Sequence, residues 1–227
     1  MKKILLWLLL ITLSATLSLS FFGCAKATDA ERTIADWQKT YTKGDFGIRN
    51  KSNPFVEFTF STGDSLRVEL YPDVAPISVE NFLRYVEDGF YEGVVVHRII
   101  DAAVQMGGYE VKDNALVQKE ATYSEIKGEF TSNGVKNNVR HRKGIISMAR
   151  TSLPNSATSQ FFLCRKTYPS WDGEYAAFGC VIDEESMATI RKIGDTSDKY
   201  TGSNGTLPDT LPDGIISITK ATVVWAK

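Results

Sequence analysis

The chain has 227 residues and a formal net charge of -1, with 43% hydrophobic and 23% charged residues. This length accommodates one sizeable domain with appendages, and the composition is that of an ordinary globular protein. A nucleic-acid-binding protein would call for a basic patch, and no long run of like charge occurs. We therefore expect neither a nucleic-acid partner nor a charged interaction tail.

The amino terminus has the pattern of an export signal. Lys2 and Lys3 precede the apolar run Ile4–Phe22, which ends in Gly23 and Cys24. A small residue before a cysteine resembles the lipobox of bacterial lipoproteins, in which the cysteine is acylated. The alternative is an uncleaved membrane anchor, because the run is near the length that spans a bilayer. Both interpretations predict a domain outside the cytoplasm, and the first predicts lipid anchoring to the cell membrane through Cys24.

A tether is predicted between the signal and the folded domain. It comprises residues 25–53, within which Ala30–Tyr41 has apolar residues near helical spacing and is predicted to be a short amphipathic helix. The domain itself is predicted to occupy residues 54–227.

The domain is predicted to open with a hairpin and a helix. Phe55–Phe60 alternates as a strand, and Leu66–Leu70 follows a turn as its partner. Ser78 is then a suitable N-cap for a helix with an apolar stripe, and Gly89 can end that helix in the left-handed conformation.

Short strands dominate the rest of the chain. The further predicted elements are strands at Val94–Ile100, Ile126–Phe130 (weak), Ile145–Ala149, Gln160–Cys164, Ala176–Ile182 and within Ile215–Val224, and a helix at Glu184–Ile193 capped by Asp183. Many strands, two helices and no strand–helix alternation predict an all-β barrel or sandwich.

Several classes of chemistry find no support in the sequence. The two histidines, His97 and His141, stand in no H-E-x-x-H pattern, and no C-x-x-C, G-x-S-x-G, P-loop or dinucleotide-binding glycine motif occurs. We therefore predict no metal and no cofactor. Cys164 and Cys180 lie in apolar segments and are predicted to be two buried thiols.

Two polar residues stand out in otherwise apolar strands. Period-two geometry places Gln160 and Phe162 on one strand face. Such a surface can contact the apolar part of a ligand and also form a hydrogen bond with that ligand. Arg98 interrupts a β-branched run, where its rigid fork of donors would lie beside an apolar surface and require an acceptor. His97 points to the opposite face and is predicted to be a satisfied structural histidine.

These residues carry a resemblance to a known family. The sequence resembles the cyclophilin-type peptidyl-prolyl cis-trans isomerases in four segments in the right order: Val68–Phe82, Gly89–Ile100, Ser147–Phe162 and Trp171–Gly179. The resemblance implies an all-β fold, a closed eight-stranded antiparallel barrel capped by two α-helices.

The resemblance also assigns roles to individual residues. Arg98 matches the catalytic arginine, Gln160 the glutamine that hydrogen-bonds the substrate backbone, and Phe162 the floor of the proline pocket. Substrate contacts are further implied for Ala149 and Arg150, which match the segment that pairs with the peptide, and for Trp171 and Tyr175. Trp171 stands where the family usually has leucine, and Tyr175 where some members carry histidine.

One pocket wall departs from the family pattern. The family usually has P-G-F-M-x-Q where this chain reads D-A-A-V-Q-M at Asp101–Met106. Without gaps, Ala103 replaces the pocket phenylalanine, Val104 the methionine and Met106 the glutamine. A shift by one residue instead makes Gln105 the glutamine, with a bulge beside Gly107. The resemblance thus implies that the wall residues Ala103, Val104, Gln105 and Met106 line the substrate pocket, but either alignment removes a large aromatic side chain from the wall.

The implied activity is prolyl isomerisation by non-covalent stabilisation of the twisted amide, without a cofactor. Expected partners are proline-containing peptides and exported proteins that are folding, and we expect a monomer. The alternative is a peptide-binding or chaperone module on the same fold with weak or no catalysis, which the altered wall at Asp101–Met106 motivates.

Overall fold

A computed structural model of the chain describes residues 47–225. The predicted signal, Cys24 and the predicted helix at Ala30–Tyr41 lie outside the described residues. Within residues 47–225, neither α-helix has the length and apolar character needed to cross a bilayer.

Strands make up most of the regular structure. In chain order they are β1 (Pro54–Phe60), β2 (Ser65–Leu70), β3 (Arg98–Ile99), β4 (Ala103–Met106), β5 (Tyr109–Lys112), β6 (Ala115–Gln118), β7 (Ile145–Met148), β8 (Phe161–Cys164), β9 (Ala177–Val181) and β10 (Ile218–Trp225). Among residues 47–225 the two α-helices are α1 (Pro76–Glu87) and α2 (Glu184–Gly194).

Eight of these strands form one antiparallel sheet in the order β10-β1-β2-β9-β7-β8-β4-β3, as predicted. The predicted closure of the barrel is wrong, because no ladder joins β3 to β10. Of the predicted strand Val94–Ile100, only Arg98–Ile99 forms a regular strand, β3. The residues before it make hydrogen bonds to different segments instead of to one partner strand. Val95 N–H donates to Tyr109 O at 2.8 Å, whereas Val96 N–H donates to Ile216 O at 2.9 Å.

The small hairpin β5–β6 is a separate two-stranded sheet that the polar sequence did not predict. Its turn contains Asp113 and Asn114, both with positive φ, at 50° and 57°, the conformation that a two-residue hairpin turn requires. The weak strand predicted at Ile126–Phe130 does not form, and Ile126 makes a single bridge to Ala157.

Aromatic side chains fill the space between the concave sheet and α1. The ring of Phe82 on α1 lies 5.2 Å from that of Phe161 and 5.1 Å from that of Phe178, and Phe58 stacks on Phe161 at 5.7 Å. Because Phe161 points into this core, Phe162, the next residue of β8, must point to the outer face of the sheet.

Helix α1 begins differently from the prediction. Ser78 is not the N-cap, because Pro76 with its fixed φ starts the helix and Ala75 is the capping position. The buried carboxylate of Glu129, 51 residues along the chain, serves as the acceptor instead. It accepts the Ile77 N–H at 3.0 Å and both the N–H and the hydroxyl of Ser78 at 2.7 Å.

The other helix ends follow the predictions. Gly89 follows α1 with a φ of +68°. Asp183 caps α2, since its Oδ1 accepts the Ser186 N–H at 2.6 Å.

The chain is attached to the sheet before β1 begins. The buried Glu69 carboxylate on β2 accepts the backbone N–H groups of Arg49 and Asn50 at 2.6 and 2.7 Å and the side-chain amide of Asn53 at 2.8 Å. Burial raises the pKa of Glu69, although these donors oppose that effect. The described chain is therefore held to the sheet from Arg49 onward.

Candidate active site

A cavity of about 120 Å³ lies on the outer face of the sheet, beside β3, β4 and β8. Its lining combines polar side chains on one edge with apolar and aromatic ones elsewhere. The lining residues are Arg98, Ile100, Ala103, Gln105, Ala149, Arg150, Phe162, Trp171 and Tyr175. A cavity of this size is small for a cofactor and suited to a single side chain.

The apolar part of the cavity is built around Phe162. This ring is 6% exposed, and the rings of Trp171 and Tyr175 meet it edge-on at 4.9 and 5.6 Å. The His141 ring stacks at 6.0 Å from the ring of Phe162. The aromatic floor is therefore fixed by its neighbours rather than free to change rotamer.

The polar edge of the cavity is a series of hydrogen bonds from Arg98 on β3, through Gln105 on β4, to Gln160, the residue before β8. Arg98 Nη1 donates to Gln105 Oε1 at 3.1 Å, and Gln105 Nε2 donates to Gln160 Oε1 at 2.9 Å. Arg98 Nε donates to the backbone oxygen of Asn204 at 2.9 Å. The strand register explains these hydrogen bonds, because Gln105 on β4 lies opposite Arg98 on β3 and opposite Phe162 on β8.

The structure decides between the two alignments of the altered wall. Ala103 and Gln105 face the cavity, whereas Val104 and Met106 are fully buried in the core on the opposite face of β4. The expectation that Val104 and Met106 line the pocket is therefore corrected: β4 alternates, so the four residues cannot all face one side. Gln105 rather than Met106 lies beside the arginine.

The segment after β7 forms the opposite rim. Ala149 N–H donates to Gln160 O at 2.9 Å, and the Arg150 guanidinium donates twice to Glu174 O while lying 4.7 Å from the Tyr175 ring. A second groove of about 360 Å³ adjoins the cavity and is lined by Gln105, Ala149 and Arg150 as well as Gln160. An extended chain passing over the cavity would thus meet polar groups on both sides.

The two histidines lie behind the cavity rather than in it. His97 is 4% exposed, and its Nδ1 has no hydrogen-bond partner among the described residues, so it is not the fully satisfied histidine that we predicted. Burial and the neighbouring Arg98 lower the pKa of His97 to about 4. His141 Nδ1 lies 3.2 Å from Asp172 Oδ1 and its Nε2 lies 3.1 Å from Ser147 Oγ. Burial also lowers the pKa of His141.

The depressed pKa of His97 predicts a loss of stability in mild acid. Between pH 6.5 and about 4 the unfolded chain binds a proton that the folded chain does not, so stability falls as the pH falls through this window. The full effect is about 3 kcal/mol, which urea titrations at several pH values would measure. His97→Phe should remove this part of the pH dependence, and parallel wild-type and variant profiles between pH 4 and 7 would contradict the assignment.

The cysteines and the acidic residues suggest no further chemistry. Cys164 and Cys180 are free and buried, as predicted, and burial raises the pKa of the Cys180 thiol to about 12. Within residues 47–225, no group of three or more His, Cys, Asp or Glu side chains is placed to hold a metal ion.

Two residues of the site were not identified from the sequence. Ile100 lines the cavity, and Asn204 bonds to Arg98 from 106 residues away along the chain. The Asn204-Gly205 pair is a recognisable turn signal, but nothing local indicates that the turn contacts Arg98.

Comparisons with known proteins show the family to which the chain is similar. The family model described as cyclophilin type peptidyl-prolyl cis-trans isomerase/CLD matches residues 55–223. A peptidyl-prolyl cis-trans isomerase of Acinetobacter baylyi is 36% identical over 186 residues, which cover 78% of this chain and 90% of that protein. Peptidyl-prolyl cis-trans isomerase B of Escherichia coli is 34% identical over 170 residues, covering 71% and 94%.

Solved structures support the same fold. A cyclophilin type peptidyl-prolyl cis-trans isomerase of Cryptosporidium parvum matches with a TM-score of 0.55 and 23% identity, over 75% of this chain and 97% of that one. A structure of that protein in the presence of the dipeptide Ala-Pro matches with a TM-score of 0.55 and 24% identity, over 76% and 99%.

Proposed function

The chain belongs to the cyclophilin-type peptidyl-prolyl cis-trans isomerase family and is an isomerase of that kind, and on this premise we propose that Arg98 is its catalytic residue. The observation that carries the proposal is the placement of the Arg98 guanidinium and the Phe162 ring in the lining of one small cavity. The cavity holds the proline ring, and Arg98 acts on the amide next to it.

The reaction sets a specific demand on the site. Rotation about an X–Pro bond crosses a barrier of roughly 18–20 kcal/mol and takes tens to hundreds of seconds without a catalyst. No covalent bond is made or broken, so the enzyme must bind the twisted amide more tightly than either planar form. In the twisted amide the proline nitrogen loses its resonance and becomes a hydrogen-bond acceptor. A donor directed at that nitrogen therefore interacts mainly in the transition state.

The contacts of Arg98 suit this task. A guanidinium has five N–H groups, of which the Nε proton is taken by Asn204 O and one Nη1 proton by Gln105 Oε1. The other three N–H groups have no hydrogen bond to a described residue and are available to the substrate. Because the guanidinium is held at two points, these donors require little reorganisation when the amide twists.

The other cavity residues bind the peptide. Phe162, Ala103, Trp171 and Tyr175 provide the apolar surface for the proline ring. The polar groups of Gln105, Gln160, Ala149 and Arg150 lie along the cavity and the adjoining groove, where they offer hydrogen bonds to the peptide backbone.

Trp171→Ala tests the binding role. Trp171 is expected to contact the ring equally in the planar and twisted states, so its loss should raise KM about three- to tenfold with little change in kcat. Steady-state measurements on a proline-containing peptide would separate the two constants. A loss confined to kcat would assign Trp171 to catalysis instead.

The direct test of the proposed function is a protease-coupled isomerisation assay on the full chain in detergent. We expect cis-to-trans conversion of an Ala-Pro peptide to accelerate in proportion to enzyme concentration. Binding of the peptide without acceleration would favour the peptide-binding module that the altered wall at Asp101–Met106 suggests.

We further propose that the enzyme is exported, anchored by lipid on Cys24, and acts on proteins that fold outside the cytoplasm. The support is the sequence pattern of residues 1–24. Cells expressing the chain should incorporate labelled fatty acid into it, and Cys24→Ala should abolish the label. Equal labelling of both forms, or no label in either, would contradict the lipid anchor, and the latter would favour an uncleaved signal.

A further inference from the structure

The segment after α2 holds a tight turn against the catalytic arginine. We infer that this turn, Gly202–Thr206, is a positioning device for Arg98, acting through the backbone oxygen of Asn204. The inference rests on the proposed role of Arg98. The isomerisation rate should then depend on the Gly202–Thr206 turn as well as on Arg98.

The turn is closed by its own hydrogen bonds. Gly202 N–H donates to Thr206 O at 2.9 Å, and the Thr206 hydroxyl donates to Ser203 O at 3.0 Å. At its centre, Asn204 has a φ of 55° and a ψ of 32°, a left-handed conformation that asparagine tolerates and β-branched residues strongly disfavour. This conformation sets the direction of the Asn204 carbonyl.

The turn is also fixed in register with β3. Arg98 forms an isolated bridge with Thr206, and Leu207 N–H donates to His97 O at 3.0 Å. Gly205 approaches so closely that a Cβ there would lie 2.2 Å from Ile99 O. The turn therefore cannot slide along β3, and its position relative to the Arg98 backbone is determined.

The turn helps to fix the plane of the Arg98 guanidinium. An arginine side chain loses rotamer freedom when it is ordered, and a single contact would leave its guanidinium plane free to rotate. Asn204 O binds Nε and Gln105 Oε1 binds Nη1, so two acceptors on different elements define that plane. Without Asn204 O, the donors facing the cavity would have to be oriented during the reaction.

Because the oriented donors matter mainly for the twisted amide, loss of the turn should lower kcat and leave KM nearly unchanged. Asn204→Val should displace the carbonyl and lower kcat by about tenfold, the effect of one charge-assisted hydrogen bond. Asn204→Gly, which adopts the left-handed conformation without strain, should keep kcat within about twofold. Deletion of Asn204 provides a second way to remove the acceptor.

A double-mutant cycle with Arg98→Lys distinguishes positioning from general damage to the fold. Lysine has no Nε–H to donate to Asn204 O, so Asn204→Val should change kcat by less than about twofold in that background. All variants are measured as the full chain in detergent, and circular dichroism checks their folding.

An unchanged kcat in both Asn204→Val and the deletion variant would overturn the inference. So would an equal loss in the Arg98→Lys background, or a loss that falls entirely in KM. If Arg98→Lys itself had wild-type activity, the proposed role of Arg98 would fail, which is a separate outcome from failure of the turn.

Discussion

Arg98→Ala is expected to lower kcat/KM on a proline-containing peptide by roughly 10²–10³-fold, the usual effect of removing a transition-state donor. Among the described residues, Arg150 is the one other cationic side chain in the lining of the cavity that contains Phe162. The Arg150 guanidinium is itself bound to the Glu174 oxygen and lies over Tyr175. Peptide affinity should change little, because the planar amide offers Arg98 a poor acceptor.

The matched control is Arg191→Ala. Arg191 is an exposed arginine on α2 whose ion pair is with Glu184, and it is absent from the cavity lining. Its loss should leave kcat/KM within about twofold, since exposed ion pairs contribute little. Full activity of Arg98→Ala, with the variant folded, would refute the assignment of the catalytic residue.

Glu129→Ala should destabilise the fold strongly, lowering the free energy of unfolding by about 3 kcal/mol. Glu129 is 2% exposed, and three donors at the start of α1 depend on its carboxylate. Alanine would leave the two buried Ser78 donors and the partly buried Ile77 N–H without this acceptor. It would also remove a negative charge from the positive end of the helix. In a domain of this size the melting temperature should fall by about 6–12 °C.

Glu125→Ala is the comparison for this prediction. Glu125 lies on the same loop but is exposed, and its replacement should change stability by no more than about 0.5 kcal/mol. Calorimetry measures the melting temperatures of both variants and of the wild-type chain. Equal melting temperatures would show that α1 does not need the Glu129 carboxylate.

The strand pattern predicted the site better than it predicted the closure of the sheet. Alternation along β8 correctly placed Phe162 outward, with Phe161 and Leu163 in the core, because a period of two leaves no freedom once one face is buried. The anomaly of Arg98 in a β-branched run likewise identified a residue that lines the cavity. Both are local properties of a strand, and a sequence records them directly.

Long-range acceptors could not be predicted in this way. Glu129 meets Ser78 from 51 residues away, and Asn204 meets Arg98 from 106 residues away, so neither contact has a sequence period. The same limit applies to the opening between β3 and β10, where the backbone at Val95 and Val96 bonds to two different neighbours instead of forming one ladder. The β5–β6 hairpin was missed because its strands are half-buried or exposed and therefore lack an apolar face.

In the altered wall at Asp101–Met106, the register of β4 determines which side chain lies beside Arg98. Sequence left Gln105 and Met106 as alternatives, and only the pairing of β4 with β3 and β8 puts Gln105 beside Arg98. Ala103 leaves room that the family fills with an aromatic ring, and Trp171 stands across the same cavity against Phe162. The cavity therefore has an aromatic lining that is made of Phe162, Trp171 and Tyr175.

The most direct test of the role of Arg98 is magnetisation-exchange NMR on an Ala-Pro peptide at saturating concentrations of the full chain. This measurement gives the rate at which the bound cis and trans forms interconvert, apart from their binding. We predict rapid interconversion with the wild-type chain, and, with Arg98→Ala, a bound peptide that interconverts at least about a hundredfold more slowly. Equal interconversion rates with both proteins would contradict the claim that the Arg98 guanidinium stabilises the twisted prolyl amide.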